Sequence, residues 1–174
     1  VEIKEHNVHY ALDLRLNQDD SFYLDTRNLR TWLRQNSKGR RVLNFFAYTG
    51  SLGIAALAGE AAEVLQSDSN SDFLALAERS QKLNRYPDTM RIWKSDYFKA
   101  VSRLKQSNAL FDIVILDAPF FSQSRFGGVD LQNENISLIN KARPLVAHEG
   151  RMVVINNSLF VPGSQVINEI SQMS

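Results

Sequence analysis

Apolar positions follow two different rhythms along the chain. Tyr10, Leu12, Leu14 and Leu16 alternate with Ala11, Asp13 and Arg15, which is the period of a half-buried strand. Residues 1–16 are therefore expected to form strands, with Glu5, His6 and Asn7 as a turn. Residues 17–20 read as a polar turn and 21–24 as a short extended piece. From residue 25 the rhythm changes. Asp25 stands where a helix N-cap is expected. Leu29, Trp32 and Leu33 follow at helical spacing, up to Gly39. Residues 42–46 are a run of mainly apolar residues, as in a strand covered on both faces. Gly50 breaks that run, and helix formers occupy 52–58 before Gly59.

The alternation continues to the end of the chain. Strands are expected at 62–66, 90–94, 111–116 and 151–155. Helices are expected at 72–84, 97–105 and 131–146, the last disturbed by Pro144, with an amphipathic helix from 164 carrying Val166, Ile167 and Ile170. In helix 72–84 the inward residues are expected to be Phe73, Leu76, Ala77 and Leu83, and 123–130 reads as a polar, glycine-bearing loop. This pattern predicts an α/β domain with a doubly wound, mainly parallel sheet over residues 25–174, preceded by a small N-terminal β extension over 1–24.

In such sheets ligands bind outside the carboxyl ends of the strands. The residues there are 47–51, Asp68, Asp96, Asp117 and 156–158. A strand, a glycine turn and a helix N-terminus aim backbone N–H groups and a positive dipole end at a ligand. The turn matches neither G-x-G-x-x-G nor a P-loop, and an ordinary strand–helix connection is the plain alternative. Asp68 lies about 20 positions past the turn, where a ribose-hydroxyl acceptor stands in nucleotide-binding sheets. Asp96 suits an exocyclic amine, or simply caps the helix after it. Their agreement on one sheet edge favours a nucleotide-type cofactor.

Composition narrows the classes. The net charge of +1 excludes a grossly basic nucleic-acid binder but leaves room for a local basic face. The chain has no cysteine, so disulfides, thiolate metal sites and a cysteine nucleophile are out. No apolar run reaches the roughly 20 residues of a membrane helix, and the start is too polar for a signal peptide. A cytoplasmic protein is expected. His6, His9 and His148 are too scattered for a metal site. Arg27, Arg30, Arg34, Lys38, Arg40 and Arg41 form a basic row: a solvated face, a carboxylate clamp or an RNA-backbone patch.

The ordered set Asn44-Phe-Phe-Ala-Tyr-Thr-Gly50, Asp68-Ser69, Asp96-Tyr97 and Asp117-Ala-Pro-Phe120 resembles class I S-adenosylmethionine-dependent methyltransferases. Phe22-Tyr-Leu-Asp-Thr-Arg27 is similar to the Phe-x-Leu-Asp-x-Arg signature of bacterial large-subunit ribosomal RNA methyltransferases. The narrowest resemblance is to the half of the bifunctional enzyme that makes 7-methylguanosine in 23S rRNA, through 117–124 and 155–157. The resemblance implies a Rossmann-like sheet with an N-terminal β-hairpin, S-adenosylmethionine as cofactor and ribosomal RNA as partner. It implies that Phe46, Ala47, Thr49 and Gly50 line the methionine part, with Arg27 helping to hold the cofactor. Asp68 would take the ribose hydroxyls and Asp96 the adenine amine, with Ser69 and Tyr97 also in the cofactor site, and Asp117, Pro119 and Phe120 would form the face where the methyl leaves. Two features depart from the pattern: a single glycine in the turn, and Ala118 in place of the first proline. The last two strands usual in such sheets are expected to be missing.

With no cysteine, methylation at carbon 5 of a pyrimidine lacks its nucleophile. A ring nitrogen such as guanine N7 needs only in-line placement, and an exocyclic amine needs acceptors for its N–H. Asp117 is expected to position rather than deprotonate, and Phe120 or Phe121 to stack a flipped base.

Overall fold

A computed structural model describes residues 1–16, 21–131, 134–158 and 160–172. The polar turn expected at 17–20 lies outside them. The first element is an antiparallel hairpin of β1 (Glu2–Glu5) and β2 (Val8–Ala11). His6 and Asn7 turn it, with φ of 50° and 66°. Two successive left-handed residues give the turn a twist that matches the flanking strands. One edge of β2 is closed by side chains rather than a further strand. Ser80 Oγ accepts from the Ala11 N–H at 2.9 Å, and Asn84 both accepts from His9 N and donates to His9 O.

The centre is a five-stranded parallel sheet in the order β5-β4-β3-β6-β9. Its strands are β3 (Arg41–Phe45), β4 (Glu63–Asp68), β5 (Met90–Lys94), β6 (Phe111–Leu116) and β9 (Val146–Val154). β3 pairs with β4 on one side and β6 on the other, with Val42 opposite both Val64 and Ile113. Alternate side chains of these strands feed two cores. Val42, Val64, Ile113 and Ile115 pack with α1 (Arg27–Asn36), α2 (Ser51–Ala58) and α3 (Ser71–Asn84) on one face. Leu43, Leu65, Val114 and Leu116 pack with α4 (Tyr97–Gln106) and α5 (Asn135–Ala142) on the other. A small hairpin, β7 (Phe121–Ser124) and β8 (Gly127–Asp130), stands beyond the end of β6, and α6 (Gly163–Ser171) closes the described chain.

The expected doubly wound sheet with its N-terminal hairpin is thus present, with local corrections. β2 ends at Ala11, so neither the alternating stretch 12–16 nor residues 21–24 form a strand. Asp25 does not cap α1; Thr26 holds that position, without a side-chain cap. The α3 face turned inward carries Leu74, Leu76, Ala77 and Ser80, while Leu83 is exposed. The stretch 123–130 contributes to the β7–β8 hairpin rather than an open loop. The helix expected over 131–146 ends at Ala142 and tightens into a 3-10 turn, Arg143–Leu145. Pro144 lacks the N–H that another α-turn needs, and its ring crowds the preceding turn. β9 then begins at Val146, well before residue 151.

Candidate functional site

From β3 the chain winds toward β4 and β5, and from β6 it moves the other way to β9. A crevice opens where the winding reverses, beyond the carboxyl ends of β3 and β6. It holds a cavity of about 770 Å³, walled by residues from every strand end and from the segment before α1. Four carboxylates face it (Asp25, Asp68, Asp96 and Asp117) against one guanidinium, Arg125. That imbalance favours a ligand that is cationic or rich in N–H and O–H donors.

The turn after β3 is unusual in its backbone. Phe46, Tyr48 and Gly50 all have positive φ, at 53°, 51° and 78°. Such values are uncommon away from glycine and need outside support. The Gly50 N–H returns to Ala47 O at 2.8 Å, and the Ala47 N–H reaches Ser67 O at 3.0 Å. The Tyr48 N–H donates to Asp68 Oδ2 at 2.9 Å, and Thr49 Oγ1 donates to Ser21 O at 2.8 Å. Below the turn, Asn44 Nδ2 donates to Gln66 Oε1, and Gln66 Nε2 donates to Gly50 O at 2.9 Å. A Cβ on Gly50 would stand 2.4 Å from the Ala77 Cβ, and one on Gly53 would stand 2.4 Å from Gln66 Cδ. These glycines are demanded by packing against Gln66 and α3. Ala47, Thr49 and Gly50 therefore build the turn from behind and do not line the cavity; Phe46 and Tyr48 do.

Asp68 accepts from the backbone on both oxygens, from Tyr48 N and from Asn70 N at 2.9 Å. Burial pushes its pKa up, against the pull of those backbone donors. Ser69 lies beside it on the wall. Asp96 caps the following helix as expected, and it also stands on the cavity wall. Its Oδ1 accepts from Phe98 N at 2.9 Å and Lys99 N at 3.3 Å. The Tyr97 ring is buried against Phe45 and Phe46, each with ring centroids 5.0 Å away, and its hydroxyl donates to Leu138 O at 2.7 Å. Burial pushes that phenol upward too.

Asp117 is where two strand ends meet. Burial raises its pKa, the Asn157 amide draws it back down, and the Asp25 carboxylate raises it again. Pro119 and Phe120 continue the same wall, and the Phe120 ring meets exposed Phe160 with centroids 5.7 Å apart.

Arg27 does not line the cavity. Its Nε lies 3.8 Å from Glu5 Oε1 and the side chain is largely exposed. Arg30 is the buried one. It grips Glu5 with two N–H groups at 2.7 and 2.9 Å, donates to Tyr23 O and Thr26 Oγ1, and lies 4.1 Å over the Phe22 ring. It thereby fixes residues 23–26, which place Tyr23, Asp25 and Thr26 on the cavity. Sequence reasoning missed Asp25 and Tyr23 as wall residues, Gln66 as the prop of the turn, and the wall formed by 122–127. Phe73, expected in the core, lines the cavity against Tyr48. The one available signal was Gln66, a polar residue inside an apolar strand. Among the described residues, no group of three or more His, Asp or Glu is placed to hold a metal ion, and no helix is long and apolar enough to cross a membrane.

Comparison with known proteins adds three likenesses and a family. The family described as S-adenosylmethionine-dependent methyltransferase matches residues 1–172. The chain is 29% identical over 158 residues to ribosomal RNA large subunit methyltransferase K/L of Marinobacter nauticus, covering 89% of this chain and 22% of that protein. It is 36% identical over 127 residues to ribosomal RNA large subunit methyltransferase I of Tolumonas auensis, covering 72% and 32%. The chain thus spans between a fifth and a third of the length of these relatives. In fold it is similar to the solved structure of SMU.776 complexed with SAH, with a TM-score of 0.93 at 22% identity over 99% of this chain and 46% of that one.

Proposed function

The chain belongs to the S-adenosylmethionine-dependent methyltransferases, and from that premise we propose that it methylates a base of ribosomal RNA at a ring or exocyclic nitrogen. The observation that carries the reading is the acidic cavity at the switch point, with four carboxylates against one guanidinium. S-adenosylmethionine bears a sulfonium, an ammonium and several O–H and N–H donors, so this donor-seeking wall fits it. The family's cofactor supplies an activated methyl group on that sulfonium.

The chain's own residues have separable roles. Asp68 takes ribose hydroxyls on the lone pairs left by Tyr48 N and Asn70 N. Asp96 accepts from the adenine amine with Tyr97 beside it, Ser69 stands next to Asp68, and Phe46 flanks the methionine part. Asp117, Pro119 and Phe120 form the acceptor side. Asn157 occupies one oxygen of Asp117 and the Ala118 carbonyl, which leaves the other carboxylate oxygen to take a base N–H. Asp117 therefore orients the base, and Phe120 offers a ring for it to stack on. Arg30 acts at one remove, by holding Tyr23, Asp25 and Thr26 in place. The lack of any cysteine supports nitrogen rather than pyrimidine carbon 5 as the acceptor. The names of the K/L and I relatives support ribosomal RNA as the substrate.

The test is transfer of labelled methyl from S-adenosylmethionine to ribosomal RNA transcripts by the intact protein, followed by nucleoside mass spectrometry. A methylated nitrogen nucleoside is expected. Label on carbon 5 of a pyrimidine, or on small molecules or protein but never RNA, would sink the reading.

A further inference from the structure

We infer that the outer face of α4 and the β7–β8 hairpin form a track for the backbone of a single-stranded RNA segment whose base enters the cavity. The inference rests on RNA as the substrate and adds where its phosphates are held.

The first observation is a group of cations beside the acidic cavity that meet aromatic rings and no carboxylate. In the basic row of the N-terminal third, four of the six cations have carboxylate partners among the described residues, while Arg34 and Arg40 have none. Arg27 and Arg30 pair with Glu5, Lys38 with Glu60, and Arg41 with Glu63, which also meets Arg91. On α4, α5 and the β7–β8 hairpin, four cations meet aromatic rings instead. Lys99 lies 5.8 Å and Arg125 4.7 Å from the centre of the Phe126 ring. Lys141 is 5.9 Å from that of Phe98, and Arg103 4.5 Å from that of Trp93. None of these four has a carboxylate within salt-bridge distance among the described residues.

The second observation is a further cavity of about 470 Å³, lined by Phe98, Lys99, Ser102, Arg103, Gln106 and Phe126. No carboxylate lines it. It shares Phe98 and Phe126 with the acidic cavity, so the two adjoin. Phe126 is 46% exposed although it is a large apolar ring.

The charge split explains why both are needed. A polyanion is repelled from a cavity with four carboxylates, whereas a neutral base is not. The backbone must therefore be gripped outside, next to the opening, while only the base goes in. Cations interleaved with exposed rings are the composition that binds single strands, by phosphate contacts and base stacking. An acidic peptide would use the cations but leave the rings unused.

The probe is a fluorescein-labelled single-stranded oligoribonucleotide of about 12 nucleotides, titrated with the intact protein by anisotropy across a range of KCl. In Lys99→Gln/Arg103→Gln the Kd is expected to rise about tenfold and the log–log salt slope to shrink by about 1.4, the share of two phosphate contacts on a single strand. Lys82→Glu, on the opposite face of the sheet, is expected to bind as wild type. Unchanged melting and S-adenosylmethionine affinity show that the double variant is folded. A folded double variant with wild-type Kd and slope overturns the track and leaves the RNA reading standing. Equal competition by polyglutamate overturns it in favour of an acidic peptide. A wild-type protein that binds S-adenosylmethionine but not the oligonucleotide overturns the RNA reading itself and the track with it.

Discussion

Asn157 Nδ2 donates to Asp117 Oδ1 at 2.7 Å and to the Ala118 carbonyl at 2.9 Å, so one amide ties the segment after β9 to the end of β6. The same amide favours the ionised form of a carboxylate that burial and Asp25 push the other way. Replacing the two neighbours should therefore move Asp117 in opposite directions. Asn157→Ala removes the lowering contact, and the acid limb of the pH–rate profile of methyl transfer is expected to move to higher pH. Asp25→Asn removes a like charge, and the limb is expected to move to lower pH. Single-turnover rates across the acidic range read both shifts. Displacement in the same direction, or none, would show that Asp117 is not the group that titrates.

Asp68 accepts from Tyr48 N and Asn70 N, and so links the strained turn to the cavity wall. Asn at this position offers only one oxygen, and its NH2 would face a backbone N–H donor. Asp68→Asn is expected to weaken S-adenosylmethionine binding by about 10- to 100-fold, the worth of roughly 1.5–3 kcal/mol for a charged hydrogen bond. Titration calorimetry measures this directly. Affinity within about twofold of wild type would remove Asp68 from the ribose site.

The parallel sheet was legible because β6 is almost wholly apolar and because helices and strands alternate with clear stops. β5 and β6 match their expected bounds. Of the strand-end residues read from the sequence, Asp68, Asp96 and Asp117 all line one cavity, whereas Ala47, Thr49 and Gly50 stand behind the turn. What it could not reach depends on contacts distant in sequence. Arg30 and Arg27 are both arginines one turn apart, and only the position of Glu5, 25 residues before Arg30, decides which is buried. Asp25 reads as a cap from local sequence alone, because nothing local says that Asp117 lies across a cavity from it. The β7–β8 hairpin is short and polar, so period-two alternation had almost no apolar residues to act on.

Gly53 faces Gln66, with no room for a methyl group. Gly53→Ala gains helix propensity but drives its Cβ into the Gln66 amide, which already serves Asn44 and Gly50. Overpacking of this kind costs about 1–3 kcal/mol. Urea denaturation is expected to show a loss in that range. The double variant Gly53→Ala/Gln66→Ala should lose less than the sum of the two single variants, since removing Gln66 removes the clash. Simple additivity would mean that the alanine is accommodated by moving α2 instead.

Arg30 has no exposed side-chain surface and Glu5 is only 12% exposed, and together they join the N-terminal hairpin to residues 23–26. Removing Arg30 leaves Glu5 only the exposed Arg27 at 3.8 Å, and breaking a buried pair costs about 3–5 kcal/mol. Arg30→Met is expected to destabilise by that order in urea at neutral pH, and to weaken S-adenosylmethionine binding because Tyr23 and Asp25 lose their anchor. The pair also has a pH signature. Arg30 holds the Glu5 carboxyl below its ordinary range. The native state therefore releases the proton more readily than the unfolded chain does. This contribution is complete above the ordinary carboxylate pKa and is lost as pH falls through the lowered native value. Wild-type stability should fall across that acidic window. Arg30→Met should show a shallower fall there. Parallel pH–stability curves for the two proteins would mean that Glu5 does not draw its stabilisation from Arg30.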